Sequence, residues 1–248
     1  GRVMSAGRNA FGSCGVGLPS VISQLTDVIG FSEGVHDAVH VCTGVNTIAV
    51  MTKQGEVLTA GCNTEGQLGQ GSRERETSIP ELVNFRTRVH VVTIACGSEH
   101  MVCLTSEDEL YSFGQNKHGQ LGIGKIGGHA RSPTRIDTLC GRHLKRGRDG
   151  LACGSDHTVA LTHAGGAWVW GLDNRGQLGR GRQENHVWIF KGPKPKEICE
   201  RPAPLILRDH VMKFVRCGGH NTALVTNSGI MFLCGDDSQS QNLAVSSH

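Results

Sequence analysis

Short, largely apolar runs recur along the chain, separated by turn-forming residues. Met101-Val102-Cys103-Leu104 and Thr158-Val159-Ala160-Leu161 are continuous runs, the pattern of a strand buried on both faces rather than one. Turn residues follow at Thr-Lys-Gln-Gly55, Ser-Glu-Asp108, Ala-Gly-Gly166 and Asn-Ser-Gly229. A second run comes next: Val57-Leu58, Leu110-Tyr111-Ser112-Phe113, Trp168-Val169-Trp170 and Ile230-Met231-Phe232. Two such runs across a short turn predict a β-hairpin. A looser stretch with proline and aliphatic residues closes each unit, at Leu18-Pro19, Ile79-Pro80, Ser132-Pro133 and Ala203-Pro204.

The hairpins belong to a repeat. The stretch GCNTEGQLGQG starts at Gly61, GQNKHGQLGIG at Gly114 and GLDNRGQLGRG at Gly171, with a worn copy at Gly7 and a decayed one at Gly235; the first glycines are 54, 53, 57 and 64 residues apart. A second motif runs in step: CTGVNTIAV from Cys42, CGSEHMVCL from Cys96, CGSDHTVAL from Cys153 and CGGHNTALV from Cys217. Two linked motifs in phase this often define the fold. Gly61, Gly66, Gly69, Gly114, Gly119, Gly122, Gly171, Gly176 and Gly179 are expected to turn the chain back on itself, with Leu68, Leu121 and Leu178 plugging the core. The expected architecture is all-β, a small antiparallel sheet per repeat with the sheets stacked radially. The chain reads as one repeat domain, residues 1–248, with units of roughly 1–41, 42–95, 96–152, 153–216 and 217–248.

These paired motifs resemble the regulator of chromosome condensation repeat family, over nearly the whole chain from Gly7 to about Leu243. The resemblance implies a β-propeller of that type. Seven blades are usual there, so about four repeats imply a partial or fragmentary ring, one completed by another chain or a missing segment, or one that closes unusually. An open arc exposes strand edges. Roles vary widely across that family, and fold does not fix function. Its founding member is a chromatin-bound guanine-nucleotide exchange factor for the small nuclear GTPase Ran. Other members resemble regulatory or substrate-binding modules of ubiquitin ligases and kinases. No catalytic residue carries over from the resemblance.

Composition fits this reading. Gly contributes 35 of 248 residues and aromatics only 4%, which suits short strands and tight turns. The net charge of +3 is mild for a dedicated nucleic-acid binder. No apolar run is long enough to cross a bilayer, and the start, Gly rather than Met, carries no secretory pattern. Four of the ten cysteines, Cys42, Cys96, Cys153 and Cys217, share one phase of the repeat. Each is expected to be a reduced, buried thiol acting as a small hydrophobe. That expectation places the protein in a reducing compartment, cytoplasmic or nuclear.

Candidate chemistry is sparse. His100 and His157 sit at matching repeat positions where Asn46 and Asn221 stand in other units. Asn replaces His as a hydrogen-bond donor but not in acid–base work, so both histidines are expected to donate to a neighbouring backbone carbonyl. No C-x-x-C pair supports zinc. The glycine stretches lack the Lys-Ser/Thr ending of a nucleotide loop, and no nucleophile elbow or triad is present. The reading is therefore a non-catalytic interaction scaffold, with no cofactor and no metal; the alternative is an exchange factor for a small GTPase of the Ran type. Function is expected in two irregular segments. One carries the basic run Arg142, Lys145, Arg146 and Arg148, suited to an acidic protein surface or to phosphates, so a nucleosome is a possible partner. The other holds Trp188 and Phe190 beside Lys194 and Lys196, a candidate hook for a protein partner.

Overall fold

The computed structural model describes all residues except 19, 32–35, 181, 185–186, 190–196, 208 and 237–248. Its described residues form three four-stranded antiparallel sheets flanked by a two-stranded and a three-stranded one. The first sheet pairs β1 (Met4–Arg8) with β2 (Val21–Asp27). The second blade runs β3 (Ala38–Gly44), β4 (Thr47–Thr52), β5 (Val57–Cys62) and β6 (Glu76–Leu82). The third runs β7 (Val91–Cys96), β8 (His100–Thr105), β9 (Leu110–Gln115) and β10 (His129–Arg135). In the fourth, β11 (Leu151–Cys153), β12 (His157–Leu161) and β13 (Ala167–Leu172) are followed by an excursion that carries a separate hairpin, β14 (Arg182–Glu184) and β15 (Val187–Ile189), before β16 (Ile198–Leu205) completes the sheet. The fifth holds β17 (Met212–Gly218), β18 (Asn221–Thr226) and β19 (Met231–Gly235). The fold is all-β, with the blades in propeller arrangement.

The continuous apolar runs are explained by this stacking. Along β8, Met101 and Cys103 face the second blade while Val102 and Leu104 face the fourth, so alternate side chains feed two different cores. Ile48 and Val50 likewise turn toward the first sheet, and Ala49 and Met51 toward the third blade. A strand sandwiched between two blades has no polar face to show. Each hairpin turn is fixed by a threonine: the hydroxyls of Thr52, Thr105, Thr162 and Thr226 accept from the backbone N–H of Glu56, Glu109, Gly166 and Ile230.

The proline-bearing stretches differ from expectation. Pro19 lies outside the described residues; the other three form outermost strands, β6, β10 and β16, in which Pro80, Pro133 and Pro204 occupy edge positions that need no ladder donor. Each pairs with its neighbour through an irregular register. The shared-phase cysteines stand at or near the ends of the innermost strands β3, β7, β11 and β17.

Candidate functional site

The glycine stretches build the seams between blades. Leu68, Leu121 and Leu178 are fully buried as expected. Their backbone N–H groups donate to Asn63, Asn116 and Asp173 Oδ1 at 3.3, 3.2 and 2.9 Å. Gly69 and Gly122 receive an aromatic ring from the following blade. A Cβ at Gly69 would stand 2.6 Å from Phe113, and one at Gly122 2.8 Å from Trp170, so neither position has room for a side chain. Trp170 also donates its indole N–H to the Gln120 carbonyl at 2.9 Å.

His100 and His157 are buried seam residues. His100 Nε2 lies 2.9 Å from Thr158 Oγ1 of the next blade, and His157 Nε2 lies 2.8 Å from Thr222 Oγ1. Each threonine hydroxyl donates in turn to a backbone carbonyl of the preceding blade, Gln120 at 3.3 Å and Gln177 at 2.8 Å. The hydroxyl proton is thus committed, and the imidazole Nε2–H is the donor in each relay. The expected carbonyl partner is reached through a threonine, which the sequence reading missed. Burial holds the His100 pKa down to about 4. Burial, with His100 and His220 nearby, holds His157 down to about 3. Both rings are neutral and act as structural donors.

At the equivalent seam between the second and third blades the relay is absent, because Asn46 and Met101 occupy its two places. Cys42 and Cys96 are instead joined as a disulfide, with Cα atoms 5.9 Å apart. This corrects the expectation of reduced thiols for that pair. Residues of one phase on adjacent innermost strands are neighbours across the seam, within disulfide reach. Cys153 and Cys217 remain thiols, and burial raises both above the ordinary thiol value, Cys217 to about 12. Cys96, Cys153 and Cys217 line the same small opening, with Thr43, Gly97 and Gly154, where the innermost strands converge.

The basic run forms a strap across the innermost strands, between β10 and β11. Its buried Leu139 and Leu144 anchor it in the core between the third and fourth blades. The Arg142 guanidinium lies 5.1 Å from the Trp168 ring centroid. Lys145 Nζ donates to the Lys213 carbonyl. Arg146 donates to the Ser106 carbonyl at 2.7 Å and lies 3.5 Å from Asp108. The Gly147 N–H donates to Thr93 Oγ1 at 2.7 Å, and Arg216 donates to the Arg148 carbonyl at 3.1 Å and pairs with Asp149 at 2.7 Å. Three of the four candidate cations are therefore used in tying the third, fourth and fifth blades together. Arg142, Arg146 and Arg148 are all exposed, and among the described residues Arg148 is the one of the four whose side chain ties no blade; after burial, its charge is the second cause lowering the pKa of His40.

The excursion in the fourth blade leaves at Arg180, whose guanidinium pairs with the buried Asp173 carboxylate at 3.0 Å. Trp188 is placed on β15, opposite Gln183 of β14, in a two-stranded sheet separate from the blade. Phe190, Lys194 and Lys196 lie outside the described residues. Among the described residues, no group of three or more His, Cys, Asp or Glu side chains is arranged to hold a metal ion, and no helix is long and apolar enough to cross a membrane.

The sequence pattern described as the regulator of chromosome condensation (RCC1) repeat matches residues 54–104, 107–161 and 164–225, and a second pattern for the same repeat matches 91–120 and 150–177. The human probable E3 ubiquitin-protein ligase HERC6 is 30% identical over 246 residues, covering 97% of this chain and 22% of that protein. The X-linked retinitis pigmentosa GTPase regulator of Canis lupus familiaris is 31% identical over 282 residues, covering 93% of this chain and 26% of that protein. The chain thus spans about a quarter of the curated relatives it matches. Among solved structures, human WBSCR16 superposes with a TM-score of 0.76 at 22% identity, over 94% of this chain and 56% of that one. Prp20p of Saccharomyces cerevisiae superposes with a TM-score of 0.73 at 22% identity, over 95% of this chain and 54% of that one. The chain belongs to the regulator of chromosome condensation repeat family.

Proposed function

We propose that this propeller segment is a non-catalytic interaction module that presents irregular segments to a protein partner. The observation that carries the reading is the hairpin β14–β15, which interrupts the fourth blade between its third and fourth strands yet joins no blade sheet. A repeat needs no such insertion to close its core, and segments set on a rigid scaffold are where binding residues concentrate. The relatives support the same reading, because proteins named as a ubiquitin ligase and as a GTPase regulator share only about a quarter of their length with this chain. Eight free thiols fit a cytoplasmic or nuclear setting, where the Cys42–Cys96 bond is the feature out of place. The test is capture of a partner on the chain, compared with Trp188→Ala/Phe190→Ala and with Arg148→Glu. A partner retained equally by all three removes both segments from the contact surface.

A second reading is nucleotide exchange on a small GTPase. The fold match to Prp20p supports it, a protein whose structure is described together with its binding to Gsp1p and histones. Nucleotide release from a panel of small GTPases is the measurement, with histones tested alongside. A release rate unaltered by this chain removes that reading.

A further inference from the structure

A groove of about 760 Å³ runs along the outer rim where the second blade meets the third, beside the whole of β10. Among the described residues that line it, four carry cationic side chains, Arg86, Lys125, Arg131 and Arg135, and none carries a carboxylate. Arg135 is neutralised by Glu109 and Asp137 at 2.9 and 2.8 Å. The Arg131 guanidinium donates to the carbonyls of Asn63, Thr64 and Ser72 at 3.2–3.5 Å; these neutral acceptors fix its position and leave its charge uncompensated. Arg86 and Lys125 are exposed and form no ion pair among the described residues. Arg86 has φ of 55°, a conformation uncommon for a side-chain-bearing residue. The Asn84 side chain holds it there by accepting the Arg86 N–H at 3.1 Å. Arg86 also borders the adjoining groove of about 770 Å³ under Phe85, so its guanidinium stands on the ridge between the two.

The uncompensated charge belongs to this seam. Gly66 lies against Cα of Arg131 and Gly71 against Ser132, whereas their counterparts Gly119 and Gly124 lie against Glu200 and the Arg201 guanidinium, so the next seam sets a carboxylate beside its guanidinium where this one sets a serine. We propose that the groove takes an acidic, extended peptide segment of a protein partner, with carboxylates paired to Arg86, Lys125 and Arg131. A strand of about six residues spans roughly 20 Å at ~3.3 Å per residue, which matches the seven residues of β10. Among the described residues that line the groove there is no Phe, Tyr or Trp ring on which a base could stack, which favours peptide over nucleic acid.

The inference rests on the reading of the chain as an interaction module, and its test separates the two. Fluorescence anisotropy would compare a labelled peptide of about eight alternating Asp and Gly residues with its Asn–Gly counterpart and with a thymidine oligonucleotide. The Asp peptide is expected to bind and the Asn peptide not. Arg86→Glu with Lys125→Glu should weaken the Asp peptide at least about tenfold, while Arg148→Glu leaves it unchanged. The double variant should in turn gain affinity for a Lys–Gly peptide, which a misfolded protein would not. Equal binding of the Asp and Asn peptides, insensitivity to the double variant, or an oligonucleotide that binds tighter at the same residues overturns the proposal. A partner retained through the β14–β15 hairpin but indifferent to Arg86→Glu/Lys125→Glu overturns the groove alone.

Discussion

The seam between the second and third blades and the two seams that follow it solve one problem in different ways. At the later seams a buried histidine reaches across to a threonine, and the threonine returns to a carbonyl of the histidine's own blade. At the earlier seam Asn46 and Met101 fill those two places, and a disulfide joins Cys42 to Cys96. The aromatic contacts diverge in parallel. Phe113 packs on Gly69 through dispersion alone, whereas Trp170 packs on Gly122 and adds a hydrogen bond. Radial stacking therefore constrains where a cross-link falls, and each seam is free to choose its chemistry. One seam depends on redox state and two depend on protonation.

The strongest way to break the comparison is at the ring contacts. Trp170→Ala removes a fully buried indole and its bond to Gln120, and should cost about 5 kcal/mol, read as a shift of the urea midpoint. Phe113→Ala should cost about 1 kcal/mol less, because no hydrogen bond is lost with the ring. Equal losses would mean that the indole N–H adds nothing to the seam. Next comes the disulfide. The bonded cysteines are 54 residues apart, and chain-entropy reasoning gives about 4 kcal/mol for a loop of that size. A reductant, or Cys42→Ser with Cys96→Ser, should lower the denaturation midpoint accordingly. A midpoint indifferent to reductant would leave the earlier seam held by packing alone.

Acid should act chiefly on the later seams. Burial keeps His100 at about 4 and His157 at about 3, against 6.5 in the unfolded chain. Below 6.5 the unfolded state takes up protons that the folded state refuses, so stability present above 6.5 is lost as pH falls toward the folded values. Half-buried His40 shifts in the same direction. From about pH 7 to about pH 6 the loss should be on the order of 1 kcal/mol, visible in the thermal midpoint. A midpoint that stays level over that interval would mean the rings are already exposed or charged in the folded protein.

What the chain displays to a reader of its sequence, and what it hides, follows from the same geometry. The phase of the repeat, the buried leucines Leu68, Leu121 and Leu178 and the glycine turns are local, and a single unit contains all the residues they need. The cross-seam pairs are not local. Cys42 meets Cys96, His100 meets Thr158 and His157 meets Thr222 at separations of 54, 58 and 65 residues. Each partner taken alone is an ordinary small or polar residue, and only superposing successive repeats in register brings the two together. The outer strands were hidden by Pro80, Pro133 and Pro204, which oppose a strand everywhere except at an edge. In the basic run the residue types were legible but not their use, since Lys145 and Arg146 spend their donors on backbone carbonyls of neighbouring blades.

His100→Asn gives the smallest change and the sharpest one. Asn221 already occupies this slot at the start of β18, as His100 does at the start of β8, so the backbone accepts the residue. The shorter amide keeps a donor near Thr158 Oγ1 but with poorer reach, and the net loss should be about 0.5–1 kcal/mol. If the histidine is needed only as a donor, Thr158 keeps the Gln120 carbonyl satisfied and the fold is retained. The same substitution removes one of the three histidines that resist protonation, so beyond the small loss at neutral pH the fall in stability below pH 6.5 should become shallower. A variant that loses stability at neutral pH yet keeps the full acid dependence would show that His157 and His40 carry the titration without it. The relay at that seam would then be a matter of shape and not of charge.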